Sequence, residues 1–323
     1  MARSQGESRG VVLVVTPDRQ PSRVLVARPP AEVTPAGRAR GRTGLPRRLA
    51  RNWAGLFGLG VLLAVVVMAV LAPLVSPMNP IDQDVTARLL SPLGSSDRGI
   101  HVLGTDALGR DILSRTIWGA RISLIVGGAS VAVAGGLGVL LGLLAGYVGG
   151  GWGALIMRLA DVQLAIPFLV LALAVVAVVG PSLGNLVAVL GVTGWVLYAR
   201  VVRAEVLSLK EREYVQAARA LGAAGERILF RHIFPNAVSS VIVVATLQVA
   251  RMILFEASLS FLGVGVPPPA PTWGGMVADG RGYLTVAWWV STLPGLTLFL
   301  TVLGVTLLGD RLRDVLDPRL QDV

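Results

Sequence analysis

EREYVQAARALGAAGERILFRHIFP, residues 211–235, is a polar stretch set between long apolar runs. Ser208, followed three positions later by Glu211, has the form of a capping box and predicts a helix starting there. Tyr214, Ala217, Ala218 and Leu221 recur at three- and four-residue steps, which places them on one face. Gly222 suits the left-handed position that ends many helices. A second short helix is expected from about Ala224, with Ile228, Leu229 and Ile233 on its inner side. Pro235 is expected to stop it, because its ring removes a backbone donor and clashes with the preceding turn. Two short amphipathic helices joined by a glycine elbow suggest a docking surface. A loop lying on a membrane fits the same spacing equally well.

The apolar runs on either side decide the class. Of 323 residues, 54% are hydrophobic and 15% charged, where a soluble domain carries about 25% charged residues. That composition reads as a polytopic membrane protein. Six spans are expected, each long enough to cross a hydrocarbon layer ~30 Å thick at 1.5 Å per residue. They fall near Trp53–Val75, Ile122–Tyr147, Leu155–Val179 (interrupted by Pro167), Gly184–Val202, Ala237–Gly263 and Val286–Leu308. Cysteine is absent, which excludes disulfide frameworks, zinc knuckles and thiol chemistry. The net charge of +10 is concentrated in the first 51 residues, where eleven arginines face Glu7, Asp18 and Glu32. Before an apolar span, this tail is first a positive-inside topology signal, and second a source of attraction to anionic lipid. Without interleaved aromatics or a recognisable module, nucleic acid is not expected as a partner.

Smaller features refine the spans. Ser130, Ala134, Gly138, Gly142 and Gly146 repeat every four residues, a stripe that lets another helix approach closely. Arg158 and Asp161, three residues apart, are able to face each other. Residues 76–116 form an outer segment of nearly cancelling charge, and residues 101–124 are read as a surface loop plus an interfacial helix with Trp118 at headgroup depth. Residues 264–284 are expected as an outer loop, because their prolines oppose a helix. Within the fifth span, Gln248, Arg251 and Glu256 are costly groups that face protein or a watery cavity. Gln248 and Arg251 share a face, whereas Arg251 and Glu256 lie ~140° apart and are not expected to pair. Helix packing and the lining of a substrate path fit these three equally, and Glu256 also fits an outer interface. Lone His101 and His232 give no expectation of a metal site.

The opening stretch is similar to the EAA loop of ABC-importer membrane subunits: Glu-Ala-Ala, three residues, Gly, nine residues, then Ile-x-Leu-Pro. Gln216, Ala217, Ala218, Gly222 and Pro235 fall in register. Gln216 replaces the pattern's Glu, His232 its Ile and Phe234 its Leu, so no charge at 216 is available to pair with an ATPase. These departures resemble the dipeptide/oligopeptide/nickel branch, as do residues 101–124, 256–277 and 309–319. The resemblance implies an all-α membrane protein with the type I ABC importer (MetI-like) transmembrane fold, about six transmembrane helices, and both termini cytoplasmic. It implies a basic, disordered cytoplasmic tail at 1–50 and a first transmembrane helix plus extracytoplasmic segment at 51–116. The permease domain at 117–323 would carry the coupling loop at 208–235.

The same resemblance implies a bacterial plasma (inner) membrane location and a second, homologous permease subunit. It also implies two ATP-binding subunits and an extracytoplasmic solute-binding protein. Tyr214, Gln216, Ala217, Ala218, Gly222 and Pro235 would make or shape the ATPase contact. No cofactor would be bound directly, since ATP and magnesium belong to the ATPase subunits. The chain itself lacks a G-x-x-x-x-G-K-[S/T] phosphate loop. Dipeptides or oligopeptides are the expected solutes, with nickel, glutathione or another small solute as alternatives. An ion-coupled secondary transporter, the rival class, would show paired half-repeats and midplane carboxylates, which are not visible here. A membrane enzyme would need a catalytic constellation, which is also not visible.

Overall fold

The computed structural model describes residues 53–316. The expected tail at 1–50 and the last residues, 317–323, lie outside them. Helix α1, Trp53–Val70, is apolar on every side and stops short of the expected Val75, since Pro73 opens a separate turn at Ala72–Val75. Helix α2, Ile112–Tyr147, starts where the Asp111 carboxylate accepts from the backbone N–H of Ser114. The interfacial helix expected before Ile122 is therefore the first turns of α2 itself. Its 36 residues reach about 54 Å at 1.5 Å per residue.

Helices α3, Gly150–Leu164, and α4, Phe168–Val179, replace the expected third span and meet at an angle of 89°. Pro167 starts α4 rather than interrupting a straight helix. The fourth span is also in two pieces, α5, Leu183–Thr193, and α6, Trp195–Lys210, with Gly194 between them. Next come α7, Glu213–Ala220, and α8, Gly225–Ile228. A π turn at Leu229–Ile233 leads into α9, Phe234–Phe261. Helix α10, Trp273–Gly280, lies inside the segment expected as a loop. Its start is fixed by Thr272, beyond the prolines, whose hydroxyl accepts from the N–H of Gly275. Helix α11, Trp289–Leu316, begins after the expected Val286 and continues through residues expected as a short terminus. Among the described residues five helices are long and apolar enough to cross a membrane, or six if the bent α3–α4 pair is counted as one span.

Helix α2 is central and packs against α1, α5, α6 and α9. Gly138, Gly142 and Gly146 of its small-residue stripe form the seam with α6, while Ser130 donates to the Val187 carbonyl of α5, so the partners are in the same chain. A Cβ on Gly138 would sit 2.4 Å from both the Trp195 carbonyl and Tyr198 Cβ. Asp161 pairs with Arg200 of α6, not with Arg158 as its spacing suggested, because α3 lays that face along α6.

The expected charge cancellation in the outer segment is a set of real pairs. Strands β1, Gly94–Ser96, and β2, Gly99–His101, form a hairpin. Buried His101 holds Asp111 at 3.0 Å. Arg110 meets Asp106 at 2.7 Å, Arg115 meets Asp106 at 3.4 Å, and both arginines reach Asp279 of α10. The indole of Trp273 donates to the Thr116 carbonyl at 3.0 Å, fixing α10 to the start of α2.

Candidate functional site

The elbow at residues 211–235 is built at the end where α2 finishes and α6 runs out. The capping box is not used. Ser208 lies in the last turns of α6, because Val206 is fully buried against Gly146 and holds the helix on course. Lys210 then donates its Nζ to the carbonyls of Gly146 and Tyr147, 3.4 and 3.2 Å away, satisfying two orphan acceptors at the end of α2.

Helix α7 starts at Glu213 with no side-chain cap. Glu213 in its first turn and Arg219 in its last complement the helix dipole. Its end is a complete Schellman motif. The N–H of Ala223 donates to the Ala218 carbonyl and that of Gly222 to the Arg219 carbonyl. Gly222 has φ +78°, as expected. Nothing lies within 4 Å of where its Cβ would be, so the requirement for glycine here is conformational and not steric.

One residue anchors α7. Val215 is fully buried in a cluster with Leu143, Val202, Val206, Ile228 and Ile233. Ala217 and Leu221 of the expected shared face are exposed, Tyr214 is exposed with its ring 6.3 Å from that of His232, and Ala218 is half-buried. Leu221 is 88% exposed and Phe230 63% exposed, an apolar surface set among the arginines and glutamates of the elbow. Gln216 is exposed and donates to Glu211 at 3.3 Å.

After Gly222, α8 is held from behind by the Tyr147 hydroxyl, which donates to the Gly225 carbonyl at 2.8 Å. Ile228 and Ile233 are buried and Leu229 half-buried, as the spacing predicts. Pro235 does not stop this segment. The π turn before it widens the backbone where a proline lacks an N–H and crowds the preceding turn. The helix therefore runs unbroken in direction from Gly225 to Phe261. Asn236 braces the turn by donating to the His232 carbonyl at 2.6 Å. Beside α7, a groove of about 1250 Å³ opens between α6 and α9. Glu205, Glu213, Tyr214, Pro235 and Arg313 are on its walls.

The three polar residues of α9 divide. Arg251 is exposed and donates to buried Gln248 at 3.3 Å, so their shared face holds. Glu256 is not at an interface. It is wholly buried within the chain, accepting from Ser260 at 2.7 Å and from Ser123 of α2 at 3.3 Å. The elbow and these span residues are not brought together in one site. Sequence reading missed Val215 as the anchor and Tyr147 and Lys210 as the clamps. Val215 had a signal, being the one β-branched residue in α7. The clamps had none, since their partners are backbone carbonyls. Among the described residues no group of three or more His, Asp or Glu is placed to hold a metal.

Comparison with known proteins covers nearly the whole described chain. Residues 138–322 match the family described as binding-protein-dependent transport system inner membrane component. Residues 46–92 match the N-terminal TM domain of oligopeptide transport permease C. A di/tripeptide transport system permease protein of Pseudomonas aeruginosa is 46% identical over 275 residues, covering 84% of this chain and 90% of that protein. A dipeptide transport system permease protein of Bacillus subtilis is 41% identical over 276 residues, 85% of each chain. A glutathione transport system permease protein of Pectobacterium atrosepticum is 46% identical over 229 residues, 71% of this chain and 76% of that one. Among solved structures, a chain of the inward-facing MetNI methionine ABC transporter superposes with TM-score 0.51 at 20% identity. It covers 63% of this chain and 96% of its own length, a likeness of fold.

Proposed function

This chain belongs to the family of binding-protein-dependent transport system inner membrane components, and from that premise we propose how it works. It is a multi-pass permease of the bacterial inner membrane, with the MetI-like helical fold, and it forms half of the path of an ATP-driven importer. Dipeptides or short oligopeptides are its solutes, as in the names of its relatives. Residues 1–50 form a cytoplasmic tail, 51–116 an anchor with an extracytoplasmic segment, and 117–323 the permease domain proper. Both termini and the elbow lie in the cytoplasm, in keeping with the arginine-rich tail and the basic excess of residues 200–231.

The observation that carries this reading is the union of a docking surface and a transmission rod in one segment. Tyr214, Gln216 and Ala217, with Leu221, present an outward surface that enters a cleft of an ATP-binding subunit. Ala218 and Gly222 shape the elbow, and Pro235 sits where the elbow becomes a span. ATPase closure pushes on α7. Val215, Tyr147 and Lys210 leave it little freedom to slip against the ends of α2 and α6. Because Gly225–Phe261 is one helix, the displacement passes into α9 without slack. A second permease completes the path, and a solute-binding protein delivers to the opposite face. Arg251, exposed on α9 and steadied by Gln248, is the residue of this set placed to meet the path, while Glu256 serves packing. Nucleotide and magnesium stay on the ATPase subunits.

The test is Gly222→Asp in a cell dependent on dipeptide uptake. An acidic side chain on an elbow at φ +78° strains the turn and adds charge to the docking surface. The expected outcome is normal membrane insertion with uptake abolished and the ATPase no longer copurifying. Wild-type uptake with normal copurification would remove the elbow from the mechanism.

A further inference from the structure

Two of the expected spans are broken, and the breaks touch. The first lies between α3 and α4, the second at Gly194 between α5 and α6. Gln163, beside the first break, bridges to both sides of the second. Its Nε2 donates to the carbonyl of Thr193, the last residue of α5, and its Oε1 accepts from the indole N–H of Trp195, the first of α6, at 2.8 Å. A carbonyl freed by a helix break is costly at membrane depth unless something pairs it, and Gln163 does so from a different helix.

Both breaks also rest on α9. A Cβ on Gly194 would lie 2.7 Å from Met252 Cε and 3.0 Å from Ala134 Cβ, so this break is wedged between α9 and α2. Phe168, the first residue of α4, stacks on Phe255 with ring centroids 4.3 Å apart. Met252 and Phe255 are three apart on α9 and share a face. They belong to the same unbroken helix that begins at Gly225 in the elbow. A shift of that helix therefore bears on both breaks at once, and packed interfaces respond by moving between discrete arrangements.

We infer that Gln163 is a positioning residue for transport: it ties the α3–α4 bend to the break at Gly194, so that the bend moves when α9 is pushed and the path opens or closes with it. This rests on the permease reading above. Without the Gln163 bridge, the end of α3 beside the bend is released from α5 and α6, and less solute moves per nucleotide cycle. A purely structural role would lower stability and leave solute carried per ATP unchanged.

The chain has no cysteine, so Leu159→Cys on α3 and Val178→Cys on α4, both exposed, give a clean spin-label pair. The complete transporter, purified through this chain and held in nanodiscs, is measured nucleotide-free and trapped with ATP and vanadate. Dialanine uptake and ATP hydrolysis are followed together in proteoliposomes. In the labelled parent the inter-label distance is expected to change on trapping. In Gln163→Leu it stays fixed, and dialanine carried per ATP falls roughly thirtyfold, the population shift of two lost hydrogen bonds at about 1 kcal/mol each, while hydrolysis continues. Trp195→Phe, which removes one of the two bonds, gives an intermediate loss. The inference is overturned by a distance that never changes in the parent. It is equally overturned by a Gln163→Leu transporter with the parent's shift and yield per ATP. Should that variant not assemble, Trp195→Phe decides by the same readouts, and parental values overturn the role. The permease reading fails in a different place, when the parent brings down no ATPase.

Discussion

Val215→Ala is the smallest change that loosens the elbow while leaving its outer surface intact. The valine side chain is wholly buried among Val202, Val206, Ile228 and Ile233, and truncation removes two carbons from that cluster. Transfer accounts for about 1.5 kcal/mol at ~0.8 kcal/mol per buried carbon. The residual cavity raises the total to roughly 2 kcal/mol. Helix α7 has eight residues, too few to persist once lifted from its seat, so the loss falls on the docking equilibrium of this segment and not on the spans. Roughly 2 kcal/mol corresponds to about a thirtyfold change in that equilibrium. Hydrogen exchange by mass spectrometry, on the transporter in nanodiscs, reads it directly. Amides from Gln216 to Gly222 should exchange about thirtyfold faster than in the parent, with α2 and α11 unchanged. Unaltered exchange over 216–222 would refute the anchor. A uniform rise across the molecule would refute its local nature.

Two further outcomes follow from contacts elsewhere. Gly138→Ala puts a methyl 2.4 Å from the Trp195 carbonyl and Tyr198 Cβ; separating α2 from α6 should cost about 1–3 kcal/mol and lower the thermal midpoint in detergent, whereas a parental midpoint would mean the seam is looser than drawn. Glu256→Gln keeps an oxygen for one serine hydroxyl to donate to and offers the other an NH2 that its hydroxyl oxygen accepts from, and should melt close to the parent, while Glu256→Leu leaves both without that partner and should lose about 1–2 kcal/mol. Equal losses in the two variants would show that the hydrogen bonds are not what this carboxyl contributes.

Much of the elbow was legible in the residues. Gly222 adopts the left-handed conformation because a Schellman ending demands it there, and a glycine after Ala-Leu at a helix end announces that. Ile228 and Ile233 turn inward because their spacing has only one apolar side to use. The false start at Ser208 has an equally physical cause. A capping box is a local signal, and the packing of Val206 on Gly146 continued α6 past it. The same holds for Pro235, whose clash with the preceding turn is real but is relieved by a π turn that no propensity foretells. Arg158 stood at a plausible spacing from Asp161, and only the lie of α3 along α6 gave Asp161 to Arg200 instead.

By itself, the sequence determined that this is a chain of about six apolar spans with a polar elbow between the fourth and the fifth. Hydropathy and the 3.6-residue period are local quantities, readable wherever twenty residues stand together. Only the tertiary structure decided which helices the small-residue stripe of α2 receives, that one valine seats the elbow, and that Gln163 joins two helix breaks thirty or so positions apart in the chain. Those facts are distances between segments far apart in sequence, and a polar side chain's partner is set by whatever the packing of its neighbours brings within reach.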